Sequence, residues 1–147
     1  MNITYNDQKK DLPVDQLRQL FFSVGWMKSI SEETDERLNG FMQPWINSTL
    51  VISAWESERL VGAVRVLSDT IFHSVIYDLL VAPEYQGRGI GKELVNRCKN
   101  HYPGSEWLVS CDKKNIGFYK KLGFQNILEP DAVLVIPCEL FPKEEKI

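Results

Sequence analysis

Cysteine and histidine are scarce in this chain, with three and two residues in 147. Cys98, Cys111 and Cys138 are odd in number, and their spacing matches neither a disulfide framework nor a zinc site. They are expected to be reduced, mostly packed thiols in a cytoplasmic protein. His73 and His101 stand alone, so no histidine metal site is expected. No apolar run is long enough to span a bilayer, and Met1–Asp7 carries no apolar signal core, so no membrane association is expected. Positive charge is not in excess either. The formal net charge is −3, which disfavours nucleic acid as a partner. Repeats, low-complexity stretches and long linkers are missing, so residues 1–147 read as a single domain, long enough to bury a core without covalent staples.

What is present is ordinary globular sequence, 44% hydrophobic and 25% charged. Val14, Leu17, Leu20 and Phe21 share one helical face, with Pro13 at its start and Gly25 at its end. A second helix is expected after Ser31 as its cap, with Glu32 and Glu33 in the first turn, ending before Pro44. Three runs rich in β-branched and aromatic residues predict strands over Thr49–Trp55, Leu60–Leu67 and Val75–Ala82, joined by short turns. Gly91–His101 predicts an amphipathic helix, Trp107–Cys111 a strand, and Asn115–Leu122 a helix closed by Gly123. Phe124–Asn126 and Ala132–Ile136 predict the last strands. The order ααβββαβαββ implies an α/β (α+β) fold with a mixed, mostly antiparallel sheet covered by helices.

The segment Leu79-Leu80-Val81-Ala82-Pro83-Glu84-Tyr85-Gln86-Gly87-Arg88-Gly89-Ile90-Gly91-Lys92 carries the most chemistry. A strand runs into a glycine-rich turn that opens a helix. Unpaired N–H groups and the dipole make such a helix start attractive to anions. A nucleoside-triphosphate loop needs GxxxxGK followed by Ser or Thr. Here the spacing is one residue short and Glu93 follows Lys92. A dinucleotide loop needs a parallel βαβ unit, whereas short turns favour antiparallel pairs.

Gln86-Gly87-Arg88-Gly89-Ile90-Gly91 resembles the Q/R-x-x-G-x-G/A motif of the GCN5-related N-acetyltransferase family. Leu79 to Tyr85 looks like that family's fourth strand and following turn. Asn115 to Phe124 resembles its N-x-x-F-Y-x-x-x-G-F helix. The resemblance covers roughly residues 50–136, and its two motifs together are specific. It implies acetyl-CoA as co-substrate, no metal, and a sheet splayed between strands 4 and 5. It places pyrophosphate over the backbone of Gln86, Gly87, Arg88, Gly89, Ile90, Gly91 and Lys92, and pantetheine along Leu79, Leu80 and Val81. It makes Tyr119 the proton donor to the departing thiolate and puts Asn115 on the same helix face. Asn115 reads equally as a helix cap.

A base must take a proton from the attacking amine. Asp78 and its neighbour Tyr77 are the candidates on the strand, and adjacent strand residues face opposite ways unless a bulge intervenes. Asp78 reads equally as a strand–loop anchor, and water can serve as relay. Arg88, Lys92, Arg97, Lys99, Lys113, Lys114, Lys120 and Lys121 crowd one stretch, and some of them suit the CoA 3′-phosphate. Phe22, Trp26, Met27, Phe41, Trp45 and Trp55 read as core or as an acceptor pocket; Trp26 among them, and Tyr77 on the strand, are the substrate candidates. Arg65 reads as a surface residue or as a contact for an anionic acceptor group. The stretch Asp112–Phe124 also looks locally like glucosamine-phosphate N-acetyltransferases. The expected acceptor is the primary amine of a small molecule, with a protein amino group or a non-catalytic acetyl-CoA-binding module as alternatives. A homodimer is a common arrangement for enzymes of this size. Cys111 has no neighbouring base to make it a nucleophile, and direct transfer needs none.

Overall fold

The computed structural model describes residues 1–27, 35–126 and 134–139, with side chains described outside 35–39. The chain divides into two compact units, Met1–Cys111 and Asp112–Ile147.

The first unit is built on a five-stranded sheet in the order β1-β2-β3-β4-β5. Its strands are β1 (Ile3–Asn6), β2 (Leu50–Glu56), β3 (Arg59–Ser68), β4 (His73–Val81) and β5 (Glu106–Val109). β1 to β4 pair antiparallel, and for β2, β3 and β4 the short connections dictate it. β5 follows the helix α3 (Ile90–His101), and this crossover lets it lie parallel to β4. The mixed, mostly antiparallel sheet expected from the sequence is therefore present. Leu50, Val51, Ile52, Ser53 and Ala54 are all buried in succession, so β2 is covered on both faces. α3 packs on β2, β3 and β4 through Ile90, Leu94, Val95 and Cys98.

Helix α1 (Val14–Ser23) packs on β3 and β4. Its Gln16 side chain accepts from the Leu60 N–H (2.7 Å) and donates to the Glu58 carbonyl (3.1 Å), tying it to the β2–β3 turn. It ends as its sequence predicts. Gly25 takes φ +82, its N–H donates to the Phe22 carbonyl, and the Trp26 N–H donates to that of Phe21. The Phe21 and Trp26 rings then meet edge to face at 5.6 Å, the apolar contact that accompanies this helix ending. Phe21 also touches Phe41 and Trp45 of α2 (Asp35–Ile46).

Four expectations need correction or restriction. β1 was missed: four residues with alternating half-buried and exposed side chains carry too little apolar signal to read as a strand, and β2 supplies the pairing that fixes them. α2 runs through Pro44 to Ile46. The last turn tolerates the missing N–H because buried Trp45 anchors it and the Ser48 hydroxyl donates to the Pro44 carbonyl at 2.7 Å. The predicted start of that helix at Ser31–Glu33 lies outside the described residues. Phe124–Asn126 and 134–136 have no strand pairing, and 132–133 lie outside the described residues.

In the second unit a single 3-10 turn, Lys113–Asn115, leads into α4 (Ile116–Lys121).

Candidate functional site

Between β4 and α3 the chain makes one 3-10 turn, Pro83–Tyr85, and then the glycine loop. Tyr85 is buried and holds the loop from below. Its N–H donates to the Ala82 carbonyl at 2.8 Å, and the guanidiniums of Arg59 and Arg88 lie over its ring at 5.2 and 5.4 Å. Its phenol is pushed above the usual range, first by a hydrogen bond to the Glu56 carboxylate and then by burial. Gly87 and Gly89 both take positive φ, +76 and +85, on either side of Arg88. Alternation of this kind turns successive N–H groups toward one side, a concavity that binds anions. Gly89 caps α3, and the first intrahelical donor is Glu93, bonded to the Gly89 carbonyl. The N–H groups of Ile90, Gly91 and Lys92 therefore have no acceptor within the helix. A Cβ built at Gly87 or Gly89 meets nothing within 4 Å, so the space above the backbone is open. Arg88 and Lys92 are exposed beside it, while Arg97 is bonded to Glu93 and lies over the Tyr5 ring.

The loop adjoins an open strand edge. β5 pairs with β4 only over His73–Ile76, and among the described residues nothing pairs with the outer edge of Tyr77–Val81. On the inner side the Ala82 N–H donates to the Val61 carbonyl. By antiparallel alternation Leu80 and Asp78 also turn their backbone groups to β3, and Leu79 and Val81 turn theirs outward. The Val81 carbonyl is taken by the Gln86 side-chain amide at 2.9 Å. The Leu79 N–H and carbonyl and the Val81 N–H remain facing outward. Gln86 is thus a strap between loop and strand.

Where β4 leaves β5 it bulges. Arg65 pairs with Asp78 but Val66 pairs with Ile76, so Tyr77 is the extra residue. The bulge lets one guanidinium reach both neighbours: Arg65 Nε donates to Asp78 Oδ2, and the Arg65 guanidinium carbon lies 5.4 Å over the Tyr77 ring. Asp78 and Arg65 are four-fifths buried, and Tyr77 is exposed.

In the second unit Asn115 occupies the N-cap position of α4 without a side-chain capping bond, and is exposed. Tyr119 is buried, its ring edge to face with Phe118 at 5.0 Å and Phe124 at 5.4 Å. Gly123 takes φ +97, and the Phe124 N–H donates to the Tyr119 carbonyl. This is the helix ending seen at Phe21, Gly25 and Trp26.

A family model described as "Acetyltransferase (GNAT) family" matches residues 12–124. The chain belongs to the GNAT acetyltransferase family. It is 31% identical to an uncharacterized N-acetyltransferase ycf52 of Pyropia yezoensis, over 88% of this chain and 73% of that one. The GNAT protein SP0256 of Streptococcus pneumoniae TIGR4 superposes with a TM-score of 0.74 at 25% identity, covering 94% of this chain and 100% of that one. Two plant relatives differ in the acceptor their names give. Serotonin N-acetyltransferase 2, chloroplastic, of Oryza sativa subsp. japonica is 29% identical over 83% of this chain and 60% of its own length. Histone acetyltransferase TAP1 of Glycine max is 30% identical over 84% and 55%.

For a GNAT acetyltransferase the loop has suitable donors: unpaired N–H groups, open space and two flanking cations suit a diphosphate. Among the described residues no cluster of His, Cys, Asp and Glu could hold a metal, and no helix is long and apolar enough to cross a membrane. Sequence reasoning missed Gly62. A Cβ there would meet the Leu80 carbonyl at 3.2 Å and the side chains of Ile90 and Leu94 at 3.3 Å, so its bareness lets the start of α3 approach the sheet. A glycine inside a strand pattern was the available signal.

Proposed function

We propose that this acetyltransferase binds acetyl-CoA and moves the acetyl group directly to a primary amine of a small molecule. One observation carries the reading: a glycine nest with unpaired N–H groups ends a strand whose outer edge offers the Leu79 N–H and carbonyl and the Val81 N–H. A diphosphate suits the first and an amide-bearing arm the second, as for pyrophosphate and pantetheine. In the transfer, the amine nitrogen attacks the thioester carbon, the C–S bond breaks, and the thiolate takes a proton. The family resemblance gives that donor role to Tyr119 and a cofactor contact to Asn115. The proton lost by the amine passes to solvent, because the Asp78 carboxylate is already engaged by Arg65. A cytoplasmic setting, suited to three unpaired thiols, belongs to the same proposal.

Calorimetric titration with acetyl-CoA, CoA, ATP and NAD tests the cofactor. Binding of the CoA species alone is expected, and binding of ATP or NAD instead would overturn the reading. An amine screen monitored by free thiol tests the acceptor. Transfer to a histone or other lysine peptide but to no small amine would move the acceptor to protein, as the name of one relative has it.

A further inference from the structure

Arg65, Asp78 and Tyr77 form a built feature that acetyl transfer as described does not use. Gly62 of β3 faces α3, since its Cβ direction meets Ile90 and Leu94. Arg65 is three residues on, so it lies on the opposite face of the sheet. The β4 bulge brings Asp78 and Tyr77 within its reach. The Arg65–Asp78 pair is four-fifths buried, which fixes the guanidinium, whereas Tyr77 is 55% exposed. The result is an aromatic ring backed on one side by a fixed cation. It sits at the first residue of β4 beyond the β5 pairing, two residues before Leu79.

We infer that the exposed side of Tyr77 takes an aromatic ring of the acceptor, so that this enzyme selects arylalkylamines over alkylamines of the same length. The inference rests on the acetyltransferase reading and names the substrate class for its acceptor side. Three arguments support it. The guanidinium and carboxylate cancel in charge, so the feature offers an anionic acceptor no net attraction. A cation over one ring face draws on the same quadrupole that a second cation would use, so an ammonium gains little on the other face. An electron-rich aryl ring gains instead, by offset or edge contact with a ring whose electron density is already drawn away. The amine, on a short arm, is left free to reach toward the open edge at Leu79.

The test compares kcat and KM for tryptamine, 2-phenylethylamine, n-hexylamine and a lysine peptide, in wild type, Tyr77→Ala and Tyr77→Phe, with acetyl-CoA affinity measured by calorimetry. Wild type should prefer tryptamine to n-hexylamine in kcat/KM by about ten-fold. Tyr77→Ala should lower that ratio by about three- to ten-fold, through the KM for the aryl substrates. Tyr77→Phe, which keeps the ring, should restore it. An equal loss for aryl and alkyl amines, or no loss, overturns the inference, as does a wild type that turns over n-hexylamine or the peptide in preference to both aryl amines. These outcomes leave the acetyltransferase reading intact. Failure of every amine despite acetyl-CoA binding sinks the transfer reading and the inference with it.

Discussion

Tyr119 stands where a helix-ending device and a proposed proton donor coincide. Its ring holds Phe124 and its carbonyl accepts the Phe124 N–H, so the side chain has a structural occupation before any chemistry is considered. Tyr119→Phe keeps those contacts and removes only the hydroxyl. The expected outcome is unchanged acetyl-CoA affinity with kcat lowered about a hundredfold, the low end of what general acid catalysis supplies. Full activity would leave Tyr119 as the helix-ending residue alone. Asp78→Asn separates base from anchor. With Arg65 holding the carboxylate, the loss should appear in thermal stability, with the shape of the pH–rate profile unchanged. A profile that loses its lower limb would restore Asp78 as the base. Cys98 is governed by burial, which pushes its thiol up to about 12 from 9.0. The folded protein keeps that proton where the unfolded chain loses it. Its contribution to stability is therefore full below about pH 9 and is lost as pH rises toward about 12. A thiol reagent at pH 8 should modify exposed Cys111 rapidly and Cys98 only at the rate of unfolding.

The elements that position the loop make their own predictions. Gly89→Glu places a carboxylate at φ +85 where an anion is expected. Acetyl-CoA affinity should fall at least tenfold while circular dichroism shows the fold retained, and unchanged affinity would remove the loop from the cofactor site. Gly62→Val acts from beneath. Its side chain would press on the Leu80 carbonyl and on Ile90 and Leu94, so it should destabilise by about 1–3 kcal/mol. It should also weaken cofactor binding by lifting the first turn of α3. Denaturant unfolding and calorimetry on the same variant read the two effects separately. Much of this was legible: strand, Pro83, glycines and helix follow one another in the sequence. The bulge at Tyr77 was not, because it is a property of how β3 and β4 register and not of β4 alone.

For the molecule as a whole, a ligand that binds only the folded state must raise its unfolding temperature. At a hundred times Kd the gain is about 2.7 kcal/mol. For a chain of this size that is a rise of about 5–10 °C. Acetyl-CoA should give such a rise in scanning fluorimetry, and NAD none. Opposite behaviour would contradict the proposed cofactor independently of any activity.

The sequence alone determined the loop and the endings of α1 and α4, because glycine at positive φ is a local requirement. Gly25, Gly87, Gly89 and Gly123 all take the left-handed conformation their contexts demand. It determined the antiparallel core of the sheet as well, through apolar runs joined by turns too short for crossovers. Only tertiary structure could decide the rest. β1 exists because β2 offers it an edge, and α2 passes Pro44 because Trp45 is buried beneath its last turn. Arg65, which reads as a surface residue in isolation, is fixed between Asp78 and Tyr77 by pairing across strands thirteen residues apart. Such pairings depend on register, and register is a relation between segments that no single segment specifies.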